Sequence, residues 1–138
     1  MESNFVTWLT LFLAGLSLLV SAVTWFQTYR RQQYDTVDVM LNELLKICLE
    51  YPELRDPDFI SSALTSTDHK LRLRYDAYAT LVWNYLERLY ETYGKSLEKN
   101  AFSGAMSDLG ERHKKWFFAD DHYKKYNSNL LAFLGIKR

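Results

Sequence analysis

Apolar side chains dominate positions 5 to 26, and no charged residue interrupts them. The stretch reads FVTWLTLFLAGLSLLVSAVTWF. Its 22 residues match the roughly 20 that a helix needs to cross the hydrocarbon core of a bilayer. Trp8 and Trp25 stand near its two ends, where indole rings favour the membrane interface. A cleaved signal peptide would carry a basic start and small residues before a cut, whereas the flank here carries Glu2 and no Lys or Arg. The pattern therefore predicts a retained N-terminal tail and transmembrane helix over residues 1–29. Arg30 and Arg31 follow at once, so the positive-inside rule predicts an outside N-terminus and a cytoplasmic domain over residues 30–138. The expected location is the cell inner membrane, crossed once.

The small and hydroxylated residues within the span are spaced regularly. Thr7, Thr10, Ala14, Ser17, Ser21, Thr24 and Thr28 recur at alternating steps of three and four, which is one face of a helix. Small residues let helix backbones approach closely in lipid, and hydroxyls can bond across such an interface. The face predicts self-association. The opposing reading is that Ser and Thr bond back to their own helix carbonyls and need no partner. In a higher oligomer the same face would line a pore, although no charged ring accompanies it.

Beyond the span the apolar period stays helical. Val37, Met40, Leu41, Leu44, Leu45 and Cys48 form one stripe, and Pro52 ends that helix. Asp56-Pro57 has the form of an N-cap followed by proline at the first helical position, so a short helix is expected from Asp58 to about Leu64. The stripe Leu71, Tyr75, Tyr78, Val82, Leu86, Leu89 and Tyr93 predicts a long helix that Gly94 closes. NAFSGAMSDLG is small and polar, a loop or weak helix. The last segment predicts one helix or two, with Trp116, Tyr123, Leu130 and Leu134 on one side and Gly135 as the stop. No strand-type alternation occurs. The fold class expected is all-α, a transmembrane helix followed by a small cytoplasmic helical bundle.

Charge changes this picture only at the C-terminal end. The formal net charge is zero, which gives no general pull toward nucleic acid, and none is expected as a partner. Residues 30–111 hold 10 basic and 14 acidic side chains, whereas residues 112–138 hold 7 and 2. Lys114, Lys115, Lys124 and Lys125 flank aromatics in KKWFF and HYKKY. With Arg30 and Arg31 they form a candidate contact to anionic lipid, at about 1 kcal/mol per basic residue near the surface. Otherwise they are the wet face of an amphipathic helix.

Chemistry is sparse. Cys48 is the single cysteine, which excludes an internal disulfide and sits on an apolar stripe as a core residue would. His69, His113 and His122 show none of the i, i+3 or i+4 pairing of helical metal ligands. No Gly-rich phosphate loop, GxSxG or HExxH motif is present. No His has an Arg at the spacing that a HEPN-type nuclease uses. Neither a cofactor nor an enzymatic activity is expected. Asn84 and Glu87, set among Trp83, Tyr85 and Tyr90, are candidates for a buried polar contact to a neighbouring helix, or for residues of the wet face.

One span, basic residues after it, a helix ending near PEL and the Tyr/Trp-rich YATLVWNYLERLY together resemble a loose group of bacterial single-span membrane proteins. That group has no activity to carry over. The plan is also similar to membrane-anchored effectors of phage defence, including accessory proteins of RNA-targeting CRISPR systems, some of which form pores. These features imply a protein that works by homo-oligomerisation in the bilayer or by recruiting a protein partner. The alternative is a membrane-perturbing or pore-forming effector assembled through the Thr/Ser face.

Overall fold

The computed structural model describes residues 2–94, 96 and 102–134. Every regular element among them is helical. The chain divides into two compact units, Met1–Thr36 and Val37–Arg138, a later division than the sequence boundary at residue 29/30. Helix α1 (Glu2–Glu50) contributes to both.

In the first unit α1 is an uninterrupted helix, long and apolar enough by length and composition to cross a membrane. At 1.5 Å per residue the apolar stretch 5–26 is about 33 Å long, close to the hydrocarbon thickness. Every described side chain from Val6 to Phe26 is exposed. At its end Trp25 stacks on Tyr29 with ring centroids 5.8 Å apart, and the Arg30 guanidinium lies 5.0 Å from the Phe26 ring centre.

In the second unit α1 buries Val37 and Leu44, with Met40, Leu41, Ile47 and Cys48 packed beside them. Leu45, expected on this stripe, is exposed. Each residue turns the helix about 100°, so Leu45 and Ile47 flank the Val37–Leu44 line on opposite sides. The core takes the Ile47 side. After Tyr51 a 3-10 turn, Pro52–Arg55, buries Leu54. Helix α2 (Pro57–Thr65) starts where the Asp56 carboxylate accepts from the Asp58 N–H at 2.9 Å, and it buries Ile60 and Ala63.

Helix α3 (His69–Tyr93) is the centre of the unit. Asp68 caps it, accepting from the Lys70 and Leu71 N–H groups. Gly94 ends it at φ +54, a conformation that a residue with a Cβ adopts only at a cost. Its buried face is wider than the predicted stripe and includes Ala79, Trp83 and Tyr85, because α2, α4 and α5 all pack on it.

Part of the weak segment is a helix, α4 (Ser103–Arg112), which buries Met106. The Arg112 guanidinium forks onto Asp108 at 2.9 and 3.0 Å and donates to the Arg55 carbonyl at 3.1 Å, tying α4 to the 3-10 turn. The final segment is more broken than one helix or two. Helix α5 (Lys114–Phe118) buries Trp116 and Phe117. Asp120 and Asp121 then take left-handed backbone angles, φ 47 and 60, inside a 3-10 stretch, Ala119–Lys125. Helix α6 (Ser128–Phe133) follows, capped by the Asn127 side-chain Oδ1, which accepts from the Asn129 N–H, and buries Leu130 and Leu131. The expected stop at Gly135 lies outside the described residues.

Candidate functional site

Two places in the molecule gather the residues that the sequence singles out. The first is the face on α1. At about 100° per residue, Thr7, Thr10, Ala14, Ser17, Ser21, Thr24 and Thr28 occupy an arc of roughly 100°. Thr10 and Thr24 donate to their own helix, to the carbonyls of Val6 at 2.9 Å and Val20 at 2.8 Å. Ala14, Ser17, Ser21 and Thr28 are exposed. A Cβ added at Gly15, beside this arc, would meet nothing within 4 Å.

The second place lies among α3, α5 and the 3-10 stretch. The Trp116 indole N–H donates to Asp76 Oδ1 at 2.8 Å, and His122 Nε2 lies 3.8 Å from the same oxygen. The reversal at Asp120-Asp121 brings the His122 ring onto the Trp116 ring, 4.1 Å between centroids. Arg72 closes the group through an ion pair to Asp120 at 3.3 Å. Around these side chains is a polar hollow of about 210 Å³. Each of its charged groups already has a partner. Among the described residues no three His, Cys, Asp or Glu side chains converge as metal ligands.

His113 lies deeper and is fully buried. Its Nδ1 is 3.1 Å from the Tyr75 hydroxyl, and the Tyr78 ring meets it edge-on at 5.3 Å. Tyr78 in turn shares a hydrogen bond with the Cys48 thiol at 3.2 Å. Among the described residues Nε2 of His113 has no hydrogen-bond partner. Burial, helped by the nearby Arg112 and opposed by Asp108, lowers the His113 pKa to about 4, so the ring is neutral near pH 7. Burial raises Tyr75 and Tyr78 above the usual tyrosine range, and pushes Tyr126 up to about 12. The arrangement is a packed core of neutral polar rings closed to solvent.

The other predicted residues are dispersed. Glu87 accepts from the Asn127 backbone N–H at 2.6 Å, at the start of α6. Asn84 is exposed, on the wet face that was the alternative to a buried contact. Lys114 pairs with Glu111 at 3.0 Å and Lys124 with Asp121, while Lys125 Nζ lies 3.3 Å from His122 Nδ1. Lys115 is exposed, as are Arg30 and Arg31 in the first unit.

No family model, curated protein or solved structure matches the chain.

Proposed function

We propose that the chain is a single-pass inner-membrane protein, with residues 30–138 in the cytoplasm, that acts by association with copies of itself or with a protein partner and carries out no catalysis. One observation carries this reading: an apolar helical stretch of membrane-spanning length that the chain leaves uncovered, with Trp8, Phe12, Leu18 and Trp25 all more than two-thirds exposed. Apolar area of that size needs lipid or another helix over it. The small-residue arc supports helix–helix contact over a water-lined pore. Thr10 and Thr24 are already satisfied by their own carbonyls, so the arc offers close backbone approach with little need for water.

The test is the mass of the full-length protein in nanodiscs beside that of residues 37–138. An oligomer from the full chain alone supports association through the span. Monomers from both remove self-association and leave partner recruitment. Membrane-anchored defence effectors share this plan, and ion leakage on expression would mark a pore.

A further inference from the structure

Between α3, α4, α5 and α6 lies a second cavity, of about 300 Å³ and open to solvent on one side. Protein interiors rarely leave voids larger than a water molecule. An apolar cavity half this size, about 150 Å³, stays dry and takes up small apolar guests. The walls here are Trp83, Met106, Phe117, Phe133 and Leu134. The one strong donor among these side chains, the Trp83 N–H, is directed to the His113 carbonyl at 3.4 Å. The polar side chains of the lining, Ser103, Ser107, Glu111 and Lys114, are all exposed.

Gly110 is the informative residue. It is buried on α4 against this cavity, where glycine costs a helix about 0.5–1 kcal/mol relative to alanine. Its backbone is helical and needs no glycine. A Cβ there would meet only Leu86 and Trp83, both at an ordinary 3.9 Å. What the glycine supplies is empty volume.

We propose that this cavity binds a single acyl chain, with its polar or anionic end at the Lys114 lip. The walls reject nucleotides, sugars and other ligands that must hydrogen-bond along their buried part. A saturated chain needs no such partner, and Met106 adapts to its shape. The volume is roughly ten times that of a water molecule in the liquid, which suits a chain on the order of ten carbons. Lys114 makes an exposed pair to Glu111, a weak contact that an anionic head can replace. The site belongs wholly to the second unit and stands whether or not the span self-associates.

The experiment is photo-crosslinking of the full-length protein in nanodiscs with a diazirine-bearing decanoate. A parallel arm carries the diazirine on a phospholipid chain, which separates free fatty acid from membrane lipid as the source. Expected adducts fall on Met106, Phe133 or Leu134, besides those on residues 5–26. Gly110→Leu should cut the cavity adducts about tenfold, leaving the span adducts as an internal control. Gly110→Ala, which fits without a clash, should fold at least as stably as the parent and cut them about twofold. Adducts confined to residues 5–26 in both arms, or cavity adducts unchanged in Gly110→Ala, would overturn the proposal.

Discussion

Trp116 and His122 lie face to face, their rings 11° from parallel, and both reach toward one oxygen of Asp76. Asp76 is on α3, 40 positions before its tryptophan partner. A single carboxylate thus pins α5 and the chain reversal after it to the central helix. Removing it orphans a buried indole N–H. Asp76→Ala should destabilise the bundle by about 1–3 kcal/mol, and Asp76→Asn, which keeps an acceptor, by less. Urea unfolding followed by tryptophan fluorescence measures both. Equal stability of Asp76→Ala and parent would show that the contact is idle.

The buried His113 predicts a pH dependence. Its folded pKa of about 4 lies below the 6.5 of an unfolded histidine. The unfolded chain therefore binds the proton first, and stability is lost as pH falls from 6.5 toward 4. The loss is at most about 3 kcal/mol. His113→Leu removes the group that charges, so its stability should fall less than the parent's across that window. Parallel curves for the two proteins would sink the idea.

Backbone strain at Asp120 can be separated from its ion pair. Asp120→Asn keeps a side chain that tolerates the left-handed region and loses only an exposed pair with Arg72, so it should change stability by less than about 1 kcal/mol. Asp120→Val should cost more, about 1–3 kcal/mol. Thermal melts in one buffer decide the order of the two.

On the apolar helix, Ser17→Leu with Ser21→Leu should weaken any oligomer caught by crosslinking in membranes. Thr24→Val should leave it nearly unchanged, since that hydroxyl is turned back on Val20. A crosslinked ladder indifferent to the serine pair counts against the face.

The basic end should bind vesicles rich in anionic lipid at low salt. Lys115→Gln should weaken that binding more than Lys124→Gln, because Lys124 already pairs with Asp121. Failure of residues 37–138 to bind such vesicles at any ionic strength removes the lipid contact.

Local signals carried most of the fold. Pro52, the Asp56-Pro57 cap, the α3 stripe and Gly94 each act within a few residues, and each element ends where its signal stands. The chain reversal at Asp120-Asp121 had no such signal. Neither residue is Gly, no proline is near, and the Trp116–Tyr123 spacing continues a helical period. The stacking and the Asp76 hydrogen bond that hold it come from distant segments. Glu87 was legible as a residue able to reach a neighbouring helix, but its partner was not, because the donor is a backbone N–H 40 residues away. His113 was legible as a histidine without ligand partners, but its burial depends on Tyr75 and Tyr78 from another helix.

The four tryptophans split evenly between the two units. Trp8 and Trp25 are exposed on the apolar helix, whereas Trp83 and Trp116 are buried in the bundle. The protein therefore carries two sets of intrinsic fluorophores. Brominated lipid should quench the outer pair and spare the inner one, and acid or urea should shift the inner pair first. One emission spectrum, resolved this way, follows insertion and folding as separate events.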